Sequence, residues 1–339
     1  MEAIAIGDLH YDSSLCNLVE GFNRVINQQV QSVLDWASKR GVTNVILLGD
    51  ICESPRLTYD GQECLLDLIC SNPDMQFYII LGNHDLLSKD PSVGHSLQPL
   101  KSLVDRGLIK NVNIYEKPTN VTIDSAKVRF LPWPSQDFSD RRLNIAHIEV
   151  SGAKLDSGKS IVKGYSDSSA VAVIGHLHTA HRIRNTHYTG TLYQTKFGMK
   201  PRKGFHYIQF NSVNDYVIEW VPVKPIYQLV DIVVEGPKDL QRIPNDPNQL
   251  VRLIISDGAE VDPTMWATKS NVVKVSPFKT KEDLVKVLTE HLDDADSLKI
   301  NVVDYLKAWL EGQSYEVPAI KDLLKTRKRY VNGVVRGNQ

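Results

Sequence analysis

The sequence predicts an α/β protein, and three observations carry that prediction. Short continuous apolar runs alternate with stretches of helical periodicity through residues 1–222. The runs lack polar alternation, as expected of strands buried on both faces. Five of them end on Asp, Asn or His.

Taken in order, the runs are residues 3–6, 45–48, 77–81, 128–131, 143–146 and 170–174. Between the first two, Phe22, Val25, Ile26, Val30, Val33, Leu34 and Ala37 recur at helical spacing, and Gly41 follows as a stop. Further helices are expected over residues 62–70 and 97–104. After Val221-Pro222-Val223 the texture changes: strand-like stretches at 228–234, 250–256 and 271–275 are separated by loops rich in Pro, Asn, Asp and Gly. From Thr280 the pattern turns helical, with Val302, Val303, Leu306, Trp309 and Leu310 on one face. The expected division is 1–222, a small α/β unit at 223–279, and helices over 280–339.

Composition sets bounds. Of 339 residues 42% are hydrophobic and 23% charged, which suits a globular chain, and no apolar run approaches the ~20 residues of a membrane helix. Thirty-nine basic residues against 40 acidic leave a formal charge of −1, so any polyanion must be held by local patches or metal ions. Cys16, Cys52, Cys64 and Cys70 form no C-x-x-C pair, and the N-terminal residues lack a signal-peptide pattern. Reduced thiols in a cytoplasmic protein are expected, without a membrane association.

The chemistry gathers after the strands, at Asp8-Leu9-His10, Gly49-Asp50, Gly82-Asn83-His84-Asp85, His147 and Gly175-His176-Leu177-His178. Carboxyl ends of neighbouring strands converge on one crevice. The small residue before most of these groups permits close backbone approach. Each motif alone has a plain structural reading, as a turn, a cap or an interior histidine. Together they make a mixed Asp, Asn and His donor set suited to manganese, iron or zinc.

In this order the motifs resemble those of the calcineurin-like metallophosphoesterase superfamily. The segments His147-Ile148-Glu149-Val150-Ser151-Gly152, Tyr188-Thr189-Gly190-Thr191-Leu192-Tyr193-Gln194, Phe197-Gly198 and Arg202-Lys203-Gly204 narrow the resemblance to the SbcD/Mre11 nuclease family. The chain length is most similar to that of its phage-encoded recombination subunits. The resemblance implies a four-layer α/β/β/α sandwich, a small capping domain and C-terminal helices. It implies two divalent metal ions, manganese first, with magnesium, iron or zinc as alternatives. Asp8, His10, Asp50 and His178 would hold one and Asp50, Asn83, His147 and His176 the other. A shared carboxylate suits cations about 3.5–4 Å apart, which activate water near neutral pH. His84 would meet the scissile phosphate, while Asp85 would orient a histidine or bind only backbone. Some relatives carry a histidine tied to exonuclease action three residues after the bridging Asp; Glu53 stands there.

Six basic residues, Arg182, Arg184, Lys196, Lys200, Arg202 and Lys203, lie together without an acidic one, as a phosphate-backbone grip or as a solvated hairpin face. Tyr188, Tyr193, Phe197, Phe205 and Tyr207 interleave them, as nucleotide platforms or as core. The resemblance implies DNA ends and single strands as substrates. It further implies a Rad50/SbcC-type ATPase bound by the C-terminal helices, and a homodimer within a heterotetramer. Another dinuclear phosphoesterase, such as a protein phosphatase or cyclic-nucleotide phosphodiesterase, is the alternative, and a non-catalytic scaffold on the same fold is a second.

Overall fold

In the computed structural model the described residues are 1–277, apart from 89, 156–158, 167, 168, 201, 263 and 268. The chain opens with β1 (Glu2–Ile6), α1 (Phe22–Ser38), β2 (Asn44–Leu47), α2 (Tyr59–Cys70), β3 (Gln76–Ile80), α3 (Gln98–Asp105) and β4 (Val112–Tyr115). These four strands pair in parallel. A second group follows: β5 (Thr119–Ile123), β6 (Ala126–Leu131), β7 (Leu143–His147), β8 (Ala172–Gly175), β9 (His181–Ile183) and β10 (Thr186–Tyr188). The hairpin β11 (Lys203–Ser212) and β12 (Asp215–Val223) then returns to the first sheet, with β11 antiparallel to β1. The two sheets run β12-β11-β1-β2-β3-β4 and β5-β6-β7-β8-β10-β9.

Burial on both faces explains the unbroken apolar runs. Ile4, Ile6, Val45, Leu47, Phe77 and Ile79 pack against Ile26, Val30 and Leu34 of α1 and Leu65 and Leu68 of α2. Their alternating neighbours Ala3, Ala5, Ile46, Leu48, Tyr78 and Ile80 meet Val128, Phe130, Leu143, Ile145 and Val173 of the second sheet. The amphipathic pattern of α1 is thus matched to one sheet face, and Gly41, at φ 70°, turns the chain out of that helix. α2 begins where the Thr58 hydroxyl accepts the Gly61 N–H at 3.1 Å.

The fold is α/β with two face-packed sheets, as the sequence predicts, and helices α1 and α2 cover the first of them. The outer face of the second sheet, with Leu131, Ala146, Ala172, Ile174 and Tyr188, is covered by Ile148, Val150, Ala153, Ile161 and Tyr165. Among the described residues that cover is irregular chain stitched by single bridges, Val150 to Tyr165 and Lys154 to Ser160, rather than helix. Gly152, at φ 88°, and Gly164, whose α-carbon packs on the Glu149 carbonyl, suit such a path and weaken a helix.

A third, all-parallel sheet comprises β13 (Gln228–Val234), β14 (Gln249–Ile255) and β15 (Val272–Pro277), with α4 (Thr264–Ala267) between the last two. Two buried glutamines clasp its start. Gln194 accepts from the Leu229 N–H at 3.0 Å and donates to the Leu229 carbonyl at 3.2 Å, while Gln29 accepts from the Ile226 N–H at 2.9 Å. The helices expected over 280–339 lie outside the described residues.

Phe130 ties the two sheets: it stacks on Tyr115 at 4.1 Å and on Tyr78 at 5.9 Å between ring centroids. Phe130→Ala is expected to lower unfolding free energy by about 3–5 kcal/mol in urea denaturation, through lost transfer and an inter-sheet cavity.

Candidate metal centre

The carboxyl ends of β1, β2 and β3 from one sheet and β7 and β8 from the other meet in a single cluster. Asp8, His10, Asp50 and His147 are all at most 2% exposed. Among the ligand candidates Asp8, His10, Asp50 and His176 have φ values of 40°, 50°, 47° and 81°. Left-handed backbone at four such residues costs about 1–3 kcal/mol each, and strain of that kind gathers where geometry serves a site. Space is equally tight: a Cβ on Gly82 would collide with the Asp50 carboxylate and amide, and one on Gly49 would lie 2.7 Å from His147 Nδ1. The glycines before the ligand candidates are there for approach, as the sequence suggested.

Asp50 is central. Its Oδ1 accepts the His84 N–H at 2.8 Å, its Oδ2 lies 3.2 Å from His147 Nε2, and its carbonyl accepts the His10 N–H at 3.0 Å. On one side His10 Nε2 and His178 Nε2 face each other at 3.1 Å. On the other, Asn83 Oδ1 lies 3.0 Å from His147 Nε2 and 2.8 Å from His176 Nδ1. Asp8 Oδ1 accepts the His176 N–H at 2.9 Å, while its buried Oδ2 has no hydrogen-bond partner. All seven ligand candidates are therefore brought together.

The donors fit cations. His147 donates Nδ1–H to the Leu48 carbonyl at 2.7 Å, which turns its Nε2 toward Asp50 Oδ2, Asn83 Oδ1 and His176 Nδ1. Apart from a proton on one of these atoms, every group there is a lone-pair donor, and the orphaned Asp8 oxygen adds another. Separate trios, Asp50–His147–His176 and Asp8–His10–Asp50, have their donor atoms within 4.8 Å of one another and share Asp50. Without a cation, protons take its place. Burial alone would lower His147, but the Asp50 and Asp8 carboxylates outweigh it and raise the ring to about 9. His176 is pushed down to about 3 by burial and by His147. Burial would raise Asp50, yet His147, His10 and His84 hold it below the usual carboxylate range.

The remaining predicted residues divide. His84, half-buried, donates Nδ1–H to the Glu53 carbonyl at 2.8 Å, leaving Nε2 for an incoming group. Asp85 takes the backbone role of the two open to it: it accepts from Gly82 N at 2.8 Å, Cys52 N at 3.0 Å and the Ser96 hydroxyl at 3.2 Å. It braces the loops under the site. Lys203 is a correction to the basic stripe. It is 2% exposed, and its ammonium donates to the His178 carbonyl at 3.1 Å and the Thr191 hydroxyl at 2.9 Å, so it supports the ligand loop from within. Arg182, Arg184, Lys196, Lys200 and Arg202 are exposed, with Arg202 stacked 4.5 Å over Trp220. Tyr188, Tyr193 and Phe205 are core.

Sequence reasoning gave no role to four groups that hold the histidines from behind. Glu53 Oε2 lies 2.9 Å from His10 Nδ1, Glu149 Oε1 lies 3.4 Å from His176 Nε2, and the Thr195 hydroxyl meets His178 Nδ1 at 3.2 Å. Trp133 stacks on His176 with centroids 5.3 Å apart. Only Glu149 carried a signal, since its i+2 spacing from His147 places both on one side of an extended segment.

Two comparisons bear on this arrangement. The sequence profile of the calcineurin-like phosphoesterase family matches residues 1–180, which include all seven ligand candidates and His84. The chain is also 23% identical over 209 residues to a protein of Enterobacteria phage T4 named exonuclease subunit 1. That similarity takes in 56% of this chain and 59% of the phage protein, so the chain spans less than two thirds of that relative.

Because His147 holds its proton up to about pH 9, a divalent cation must displace it. Mn2+ affinity, measured by titration calorimetry, is expected to rise about tenfold per pH unit from pH 7 and to level off near pH 9; a flat profile contradicts this.

Proposed function

Since the chain belongs to the calcineurin-like phosphoesterase family, we propose that it is a metal-dependent DNA nuclease. On this reading it is a manganese-dependent subunit that cuts phosphodiesters at duplex ends and on single strands. The observation that carries the reading is the pair of donor trios sharing Asp50, with His84 at their edge. Likeness to a phage protein named as an exonuclease subunit supports DNA as the substrate and a second subunit as the partner.

Asp8, His10, Asp50 and His178 would hold one cation and Asp50, Asn83, His147 and His176 the second. Bound there, the pair supplies Lewis acidity and an activated water. The chain supplies the rest. Asp50 is fixed by the His84 amide, so the shared carboxylate cannot turn away from either group. His84, with Nδ1 held by the Glu53 carbonyl, presents Nε2 to a phosphate oxygen or to the leaving oxygen. Trp133 stacks on one face of the His176 ring and fixes its orientation.

Outside the centre, the exposed Arg182, Arg184, Lys196, Lys200 and Arg202 are read as phosphate contacts, and residues 223–279 as a DNA-recognition cap. Residues 280–339 are read as the segment that binds a Rad50/SbcC-type ATPase, within an assembly that contains two copies of this chain.

The test is hydrolysis of end-labelled duplex and hairpin DNA in Mn2+, beside a phosphopeptide and a cyclic nucleotide. DNA is expected to be cut at least tenfold faster than either, and preference for another substrate overturns the nuclease reading. Asp50→Asn is expected to abolish turnover and to cost bound metal. His84→Gln should lower turnover by about 100-fold or more with metal content unchanged, the size of a lost acid–base group. Normal turnover in metal-replete H84Q removes His84 from the chemistry. Deleting residues 280–339 is expected to end co-purification with the ATPase subunit while Mn2+-dependent cleavage persists; retained co-purification moves the partner surface elsewhere.

A further inference from the structure

Glu53 stands where some relatives carry a histidine, and its carboxylate, carbonyl and amide each make a contact. The carboxylate lies 2.9 Å from His10 Nδ1. The carbonyl accepts Nδ1–H of His84 at 2.8 Å. The amide donates to the Tyr11 carbonyl at 2.9 Å. One residue of the loop after β2 therefore reaches the loop after β1 twice and the loop after β3 once.

The reach follows from a local extension of the parallel pairing. Beyond the ends of β1 and β2 the two chains stay side by side: His10 N donates to the Asp50 carbonyl at 3.0 Å and Tyr11 N to the Ile51 carbonyl at 2.9 Å. Tyr11 and Cys52 form a bridge in the same direction. Glu53 is the next residue along, and its side chain folds back under the His10 ring. The rings of His10 and His84 stand edge to face with centroids 5.1 Å apart, so Glu53 sits behind both.

The chemistry of an acceptor at this place differs from that of an imidazole. A carboxylate 2.9 Å from Nδ1 favours a proton there and leaves Nε2, the nitrogen that faces His178, as the lone pair. A histidine at position 53 would be able to donate, and would leave that choice open. The side chain is 41% exposed, more than its role as a brace for a buried ring would lead one to expect of a core residue. Its exposure places the brace at the rim of the cluster.

We infer that Glu53 is a positioning residue that locks His10 in the metal-binding tautomer and, through its backbone, ties that ligand to His84. The inference rests on the proposed metal pair. It concerns the link between a ligand and the substrate-facing histidine, for which neither the family match nor the phage relative provides an assignment.

The full-length protein without DNA is titrated with Mn2+ by calorimetry, as wild type, Glu53→Ala and Glu53→Gln. Wild type is expected to take up two ions. E53A should weaken one binding step about 10–100-fold and leave the other within about twofold, as loss of an outer partner does at histidine sites. E53Q should stay within a few-fold of wild type, because the amide oxygen still accepts from Nδ1–H. Long-range 1H–15N spectra of the metal-free protein should show a fixed Nδ1–H on His10 in wild type and E53Q, and its loss in E53A. At saturating Mn2+ the turnover of E53A should remain below that of wild type, since the segment that holds His84 has lost its anchor. Unchanged Mn2+ binding and an unchanged His10 resonance in E53A overturn the proposal. Equal losses in E53Q and E53A also overturn it, by assigning the effect to charge at the rim. Full turnover of E53A at saturating Mn2+ overturns the tie to His84. A wild-type chain that binds no Mn2+ fails the metal reading itself, which is separable from any effect of the substitutions.

Discussion

The Asp50 carboxylate is the point on which the strand ends are assembled. Through two oxygens and a carbonyl it engages the loop after β3, the end of β7 and the loop after β1. Such convergence is possible only because Gly49, at φ 85°, and Gly82 leave no side-chain atom between the loops. The remaining element, β8, is drawn in by Asp8, which accepts the His176 amide. The first sheet thus supplies the carboxylates and the second most of the imidazoles. A buried carboxylate with that many claims on it is stable only in a positive environment. His147 provides this as a cation at neutral pH, and bound metal ions would provide it more strongly.

Face-to-face sheets are what make this assembly rigid. Each strand carries Ile, Val and Leu on one side toward the helices and a second apolar set toward the other sheet, so the backbone at its end has little freedom to relax. Strain at Asp8, His10, Asp50 and His176 is carried by that packing. Behind the ligand candidates each histidine has a group beside its outward nitrogen: Glu53 for His10, the Leu48 carbonyl for His147, Glu149 for His176 and Thr195 for His178. The order runs from core, to backbone, to imidazole, and only then to the cations and substrate.

How much of this was legible in the sequence depends on where the information is stored. The strands were, because burial on both faces writes itself as a continuous apolar run; the expected 228–234 strand matches Gln228–Val234 residue for residue. The ligand candidates were, because strand, glycine and donor stand next to each other in the chain. The covering layer of the second sheet was not: Val150 and Tyr165 meet across a loop whose path no periodicity records. Lys203 was misread for a related reason. In a string of six basic residues it looks like its neighbours, and only the register of β11 turns its ammonium toward the His178 carbonyl. Glu53 and Trp133 act on residues 43 positions away in either case, His10 and His176, and a distance of that kind is set by the fold.

The burial of Lys203 bears on how a chain of net charge −1 would hold a polyanion. A diffuse basic surface is absent from the composition, and the local stripe is one cation shorter than its sequence suggests. Asp8, Asp50, Glu53 and Glu149 add negative charge at the centre itself, which repels a phosphate until cations are bound there. On the proposed reading, affinity for DNA and occupancy by metal would be coupled through the same carboxylates: the exposed arginines and lysines near Arg182 and Arg202 would draw the backbone in, and the metal-loaded centre would decide whether a phosphate can settle. Substrate binding that depends on the cations, with His84 held at their edge, would confine hydrolysis to a loaded site.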